Sequence, residues 1–396
     1  MRVNKNKPTP EWIESLRKRY PCEQEIDRVQ TRRLKRRSGP PYQPVSLETL
    51  TAGTKKLLRR QIGDDFELSN ARWLSGGASK LQMAFDLTWT EPGFGRTTTA
   101  LVLRMQPSEA ITETSRLREF EIIRALDGYL PVPRTYWVDA DGEYLPHPAI
   151  IYGFSKGVAK PTRSSSQVTG VGTFMPPEVR PALGKQLVED LAKLHRFDWR
   201  GANLSSFDTP ASYEQAIEWQ LNWWARVWEA DVNEDVPLVG LAAAWLRQNI
   251  PANGQLSMLH GDYRVGNFLF TEPDLNISAW LDWELAYVGD RHEDLAWCSK
   301  TQFGHADERG QFLVGGLVPT DEFFARYEKA SGMSVDPQLL RYYTLLGCYK
   351  AAVITLASGV RVVRNGKSHQ DILVAWLAGI SYPMLEDLRT QLEGVL

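Results

Sequence analysis

From Leu259 the sequence reads LHGDYRVGNFLFTEPDLNISAWLDWELAYVGDRHEDLA, and this stretch holds the groups best suited to chemistry. Asp262 is followed by Asn267 five positions on and by Asp282 twenty positions on. Transfer of a phosphoryl group asks little covalent help of a protein. It needs a hydroxyl held in line, a carboxylate to take its proton, and metal bridging the phosphate oxygens. A carboxylate and an amide oxygen from one loop, with a second carboxylate after a short hairpin, supply those parts. Mg2+ is a hard ion that takes oxygen ligands, so Asn267 and Asp282 suit it and histidines do not. A plain Gly-turned hairpin with surface acids would leave the order and spacing of the three groups without a reason.

A second set of residues is suited to phosphate. Ser75, Gly76, Gly77 and Ser79 lie between two strand-like runs. Glycine lets backbone N–H groups approach phosphate oxygens, and Ser79 adds a hydroxyl donor. Ser-Gly-Gly is also a common turn, so this signal gains its meaning from position.

The elements that must carry these groups follow from periodicity. Residues 46–62 open with Ser46 and read as a capped helix. Strand-like runs follow at 66–74, 82–89 and 99–105, separated by turn signals at Ser75-Gly76-Gly77 and Pro92-Gly93. Residues 113–127 place Leu117, Phe120, Ile123 and Leu126 at helical spacing, and 149–154 read as another strand. Beyond about residue 178 helical patterns dominate, at 180–196, 212–230, 238–249, 320–331, 336–358 and 369–394. Two short strand-like pieces, Asn267–Phe270 and Ile277–Leu281, interrupt them. The polar segment 160–177 reads as a loop between elements.

His260-Gly261-Asp262-Tyr263-Arg264-Val265-Gly266-Asn267-Phe268-Leu269, followed by Leu281-Asp282-Trp283-Glu284, resembles the aminoglycoside phosphotransferase and choline kinase family. More narrowly it resembles the phosphotransferase domains related to those linked to acyl-CoA dehydrogenases. The likeness covers roughly residues 68–385. It implies an α+β, two-lobed protein-kinase-like fold, with a small antiparallel sheet in the N-lobe and a mainly helical C-lobe. The expected organisation is a basic extension and leading helix over 1–65, a nucleotide-binding N-lobe over 66–155, and a C-lobe over 156–396. By the same resemblance Asp262 is the catalytic base, Asn267 and Asp282 hold Mg2+, and Glu284 reaches a second metal. Ser75, Gly76, Gly77 and Ser79 match the loop that covers the phosphates of ATP or GTP. Arg104 stands where relatives carry a phosphate-holding lysine, with Glu119 as its helix partner and Glu113 and Glu121 as rivals. His260 matches a loop-shaping histidine, His195 a core histidine, and Asp290 and Asp294 a tail that braces the catalytic loop. Lys80 stands where relatives often carry Asn, and either touches phosphate or faces water. No acidic residue lies near Gly153, where the base-binding hinge would be, so ATP and GTP stay equal candidates.

The bulk numbers fit this reading. The chain has 396 residues, 43% hydrophobic and 24% charged, with a net charge of −2. That is enough chain for two lobes and offers no global field toward nucleic acid or membrane. Three scattered cysteines make no disulfide framework, and the N-terminal residues show no signal peptide, so a cytoplasmic location is expected. The apolar run 345–360 carries Lys350 and reads as a buried helix. The basic cluster within residues 1–40 reads as a solvated helix and linker over the first lobe. Trp219, Trp223, Trp224 and Trp228 on one helix are either a helix contact or a wall of the acceptor pocket, and Tyr342, Tyr343, Tyr349 and Lys350 are further candidates to line it. The expected acceptor is a hydroxylated small molecule, apolar or acyl-type. The alternatives are an antibiotic (aminoglycoside or macrolide) phosphotransferase and a nucleotide-binding pseudokinase serving as a binding module. Oligomeric state is not encoded in any of these patterns.

Overall fold

The computed structural model describes residues 4–39, 43–74, 80–162, 171–365, 375 and 378–396. Three helices lead the chain: α1 (Pro10–Arg19), α2 (Gln24–Arg36) and α3 (Leu47–Ile62). Thr9 and Ser46 cap the first and third by accepting backbone N–H groups through their side chains. An antiparallel sheet follows in the order β1-β2-β3-β5-β4, with a helix inserted after β3. Its strands are β1 (Phe66–Trp73), β2 (Leu81–Glu91), β3 (Gly95–Met105), β4 (Thr135–Asp139) and β5 (Ala149–Gly153), and the helix is α4 (Arg116–Leu126). The sequence reading misses β4, a half-buried strand whose short run does not alternate cleanly.

Alternation along β3 decides which side chains share a face with Arg104. Leu101, Leu103 and Met105 pack with Leu50, Leu57 and Leu58 of α3 in one core. Val102 faces the other way, into a core shared with Phe120 of α4, and Arg104 shares its face. β2 pairs with β3 so that Gln82 opposes Arg104. Lys80, two residues before Gln82, therefore lies on the Arg104 side of the sheet.

The rest of the molecule is mainly helical, as expected for an α+β kinase-like fold. α5 (Arg180–His195), α6 (Tyr213–Asp231), α7 (Pro237–Gln248), α8 (His292–Cys298), α9 (Thr320–Ser331) and α10 (Pro337–Ala352) form its body. Helical structure continues through a π-helical turn at Val353–Gly359 and α11 (Val360–Asn365), and α12 (Ser381–Glu393) closes the chain. The helical run Pro337–Asn365 is long and apolar enough to cross a membrane, but 78% of its most apolar window is buried inside the protein. Two short strand pairs are inserted here. β6 (Leu256–Leu259) pairs with β9 (Tyr287–Asp290), and β7 (Phe268–Thr271) with β8 (Asn276–Trp280). The loops between these strands carry the chemistry-bearing residues.

The N-terminal helices differ from expectation. They are not a solvated cover on the sheet lobe. Ile13, Leu16 and Leu34 are buried with Ala230 of α6. Arg33 and Arg37 both meet the buried carboxylate of Asp231, Arg33 at 2.5 Å, and Ser358 donates to it at 2.8 Å. A basic run looks solvated in sequence because its acidic partner lies about two hundred residues away. Burial alone would raise the Asp231 pKa, but Arg33, Arg37 and Arg361 overcome it and hold the carboxyl below its ordinary range.

This ion cluster gives a stability prediction. Removing one partner of a buried pair leaves an uncompensated charge and costs about 3–5 kcal/mol. Asp231→Asn is expected to lose stability of that order in urea unfolding at pH 7. A carboxyl with a depressed folded-state pKa stabilises above its unfolded pKa and loses that contribution as pH falls through the folded one. The gap between wild type and variant should therefore persist from pH 7 to about 4 and close only in stronger acid.

Candidate active site

The loop His260–Asn267 is built around fixed hydrogen bonds. Asp294, in the first turn of α8, accepts the backbone N–H of His260 at 2.8 Å and of Gly261 at 2.9 Å. His260 is fully buried, and burial pulls its pKa down. Its Nε2–H donates to the Leu281 carbonyl at 2.9 Å, and its Nδ1 accepts the Asp262 N–H at 3.2 Å. This neutral tautomer ties the loop to the segment that carries Asp282. Asp290 braces something else: it accepts from His292 and from Tyr213, at 2.6 and 2.8 Å. His195 sits in the core between Tyr327 and Asp294, as expected.

Asp262 is held from three sides. Its Oδ1 accepts from Trp297 Nε1 at 2.6 Å and Arg264 Nε at 2.9 Å. Its Oδ2 accepts from Asn267 Nδ2 at 2.7 Å, and the same amide donates to the Asp262 carbonyl at 2.9 Å. The Asn267 amide is thereby oriented, with its oxygen directed away from Asp262. The Asn267 carbonyl accepts the Leu281 N–H at 2.7 Å, which sets Asp282 beside this loop. Asp282 has φ 60° and ψ 42°, a left-handed conformation that Asp tolerates better than most residues.

Opposite lies a cluster of buried ions. Arg104 meets Glu119 at 3.2 Å, Asp282 in close contact, and Glu284 at 3.5 Å. Glu119 is thus its helix partner. The rivals are engaged elsewhere: Glu113 pairs with Arg36 and Glu121 accepts from Ser205 and Ser206. Arg116 joins Glu119 and Glu284, the latter at 3.0 Å. Lys80 is buried, with Nζ 2.6 Å from Glu284. Burial pulls the Lys80 ammonium down against the pull of Glu284. Burial would likewise raise Glu284, but Lys80, Arg104 and Arg116 hold it below the ordinary carboxylate range.

One expectation is corrected here, and one of the two readings of Lys80 falls. Glu284 is not poised for a second metal, because its oxygens meet Lys80, Arg116, Arg104 and the Thr114 hydroxyl, the last at 2.7 Å. Lys80 does not face water. Ser75, Gly76, Gly77 and Ser79 lie outside the described residues. Trp223 and Trp224 stack at 5.0 Å in the core, so this pair is packing and not a pocket wall. Tyr342, Tyr343 and Tyr349 are also buried in that core. Lys350 donates to the Gly261 carbonyl and lies 4.5 Å from the Trp297 ring centroid. The sequence reading missed Trp297, which lies outside the motif, and took Lys350 for a pocket-lining candidate where it instead supports the loop.

Comparison with known proteins places the chain in a family. The model of the phosphotransferase enzyme family (APH) matches residues 83–342. The chain belongs to this family. It is 29% identical over 191 residues to acyl-CoA dehydrogenase family member 11 of Gallus gallus, covering 45% of this chain and 24% of that protein. It is 25% identical over 300 residues to family member 10 of Mus musculus, covering 70% of this chain and 27% of that one. The chain thus spans about a quarter of the length of these curated relatives. Among solved structures, a putative aminoglycoside phosphotransferase from Ralstonia eutropha shares the fold with TM-score 0.62 and 21% identity, over 87% of this chain and 98% of that one. A macrolide 2′-phosphotransferase type I matches with TM-score 0.52 and 18% identity, over 83% and 96%. A GDP and kanamycin complex of APH(2″) matches with TM-score 0.52 and 14% identity, over 85% and 98%.

Among the described residues no group of three or more His, Cys, Asp or Glu forms a ready metal cage. The donor set nonetheless fits Mg2+, which takes one or two protein oxygens and completes its shell with phosphate and water. Asp282 supplies a carboxylate with about a third of its side chain exposed (36%), and Asn267 an oriented amide oxygen.

The loop backbone can be tested without turnover. Gly261 has φ +76°, and a Cβ there would lie 2.3 Å from the Leu285 carbonyl oxygen. Gly261→Ala should cost about 2 kcal/mol or more in urea unfolding. Gly240, inside α7, has open space around it. Gly240→Ala should instead be neutral or stabilise by up to about 1 kcal/mol.

Proposed function

We propose that this protein is a Mg2+-dependent phosphotransferase that moves the terminal phosphoryl group of ATP or GTP to a hydroxyl of a small molecule. The observation that carries the reading is the meeting of Asp262, Asn267 and Asp282 with Arg104 and Glu119 at one place. Bound Mg2+ would neutralise charge on the phosphate oxygens. Asn267 and Asp282 are the residues suited to hold it. Arg104, fixed by Glu119, offers a planar fork for phosphate oxygens. Asp262 Oδ2 receives the acceptor's proton or holds its hydroxyl in line, while Trp297 and Asn267 keep the carboxylate in one orientation.

The surroundings of Asp262 favour an apolar or acyl-type acceptor. Trp297 and Phe303 form an aromatic pair 5.4 Å apart, and the Arg264 guanidinium lies over Phe303. The same guanidinium is paired with Asp262 at 2.9 Å. The antibiotic reading draws on fold neighbours named for aminoglycosides and macrolides, and on no side chain of this cleft. A pseudokinase binding module would need no oriented Asp262, which three donors here fix.

A thermal-shift series with Mg2+ and ATP, GTP or neither tests the nucleotide site. Stabilisation of about 3 kcal/mol is expected at a hundredfold excess over Kd, and Asp282→Ala should abolish its metal dependence. No shift with either nucleotide would move the reading to a binding module. Once an acceptor is found, Asp262→Asn should lower kcat by about 10²–10⁴ and leave nucleotide affinity near wild type. Retained turnover would remove Asp262 from its role.

A further inference from the structure

The first two helices lie ahead of the family match, which begins at residue 83. They occupy a place with consequences for the cleft. On one side, α2 and the residue before it bind α4 and its approach. Glu23 takes Arg118 at 2.6 Å, with both side chains almost fully buried, and the Arg118 guanidinium lies 4.2 Å from the Phe207 ring centroid. Glu25 accepts from the hydroxyl of Ser115, the residue that caps α4. Gln30 Nε2 donates to the Glu113 carbonyl at 2.9 Å, and Arg36 pairs with the Glu113 carboxylate at 2.7 Å.

On the other side, the same helices bind α6. Asp27 takes Arg226 at 2.6 Å, and Thr31 accepts from it at 2.8 Å. Arg33 and Arg37 meet Asp231, and the Pro21 carbonyl accepts from Asn222 at 2.9 Å. One short segment thus ties a helix of the sheet lobe to a helix of the other lobe through buried charges. Buried ion pairs tolerate few alternative arrangements, because any shift leaves a charge unmatched.

The face of α4 opposite this segment reaches the cleft. Residues three apart on a helix share a face, so Arg116 and Glu119 point together while Arg118 points away. Arg116 and Glu119 are the residues that meet Glu284 and Arg104. We propose that the α1–α2 pair is a positioning strap: it fixes α4 against α6, and through α4 it holds Arg104 and Glu284 in the arrangement that receives nucleotide phosphates. Glu23, Gln30 and their neighbours are positioning residues that touch neither nucleotide nor acceptor. This inference rests on the nucleotide-binding reading above.

The test is calorimetric binding of Mg2+ with ATP and, separately, GTP, to wild type, Glu23→Ala, Glu23→Gln and Arg59→Ala. Arg59 of α3 forms an exposed pair with Asp64, beyond the helix end, and serves as the control. Kd for the preferred nucleotide should rise about tenfold or more in Glu23→Ala, equivalent to about 1.4 kcal/mol. It should rise less in Glu23→Gln, which keeps an acceptor for Arg118, and stay unchanged in Arg59→Ala. Hydrogen exchange should report faster opening of α4 in Glu23→Ala, with the β6–β9 pair unaffected. A merely structural segment would lower the melting temperature of the free protein and leave Kd unchanged, and that result would overturn the strap. Should Glu23→Ala fail to fold, Gln30→Ala removes one bond to the Glu113 carbonyl and carries the same expectation at roughly threefold in Kd. Wild-type Kd in a folded Gln30→Ala would then overturn the proposal. Failure of the wild type to bind either nucleotide would overturn the functional reading itself, a result distinct from tight binding that survives loss of Glu23.

Discussion

Charge balance in the cleft is the constraint on which the other parts depend. Lys80, Arg104 and Arg116 meet Glu119 and Glu284 out of reach of most water, with the partly exposed Asp282 at the edge of the cluster. Such groups cannot be buried singly, because each would forfeit hydration worth several kcal/mol without return. They must therefore arrive together. β2 and β3 bring the first two cations, α4 brings Arg116 and Glu119, and the turn after β8 brings Asp282 and Glu284. The positions of four elements are coupled by this one requirement. Arg104 suits the task because its planar fork meets several carboxylates at once, which a lysine ammonium does less directionally.

The opposite wall solves a different problem, the orientation of one carboxylate. Asp294 takes two backbone N–H groups, the neutral His260 joins the loop to Leu281, and Lys350 takes the Gly261 carbonyl. These bonds fix the backbone on both sides of Asp262. Trp297 and Asn267 then fix its two oxygens. Behind them Glu293, 3.5 Å from Lys350, has its pKa pushed up to about 7 by burial against the pull of that ammonium. A preorganised acceptor of protons needs this rigidity, since a freely turning carboxylate would repay its orientation cost in every turnover.

Much of this was legible in the sequence, for reasons that differ by residue. Asp262, Asn267 and Asp282 could be read because the chemistry demands three oxygen groups in fixed order along one stretch. Arg104 could be read because it is the basic residue on the third strand, where the family resemblance calls for a phosphate-holding cation. Lys80 could not: its burial depends on Glu284, two hundred positions away and itself read as a metal ligand. Arg33 and Arg37 were read as solvated for the same reason, since Asp231 gives no local sign that it will neutralise them. Local pattern reports which face of an element is apolar. It is silent on which distant charge a buried cation will meet.

The acceptor side shows the same limit from the other direction. A helix with tryptophans at 219, 223, 224 and 228 attracts attention as a binding wall, yet Trp223 and Trp224 are spent on the contact between α6 and its helical neighbours. The aromatic groups that do flank Asp262 are Trp297 of α8 and Phe303 just beyond it, joined by Arg264 from the loop itself. All three lie within about forty residues of Asp262 in sequence. Trp297 and Phe303 are buried with Ala351 and Met384, so they too pack behind the loop and hold it. What α8 and its following turn place beside Asp262 is an indole committed to the carboxylate and a ring packed against that indole, while the loop's own guanidinium pairs with the carboxylate.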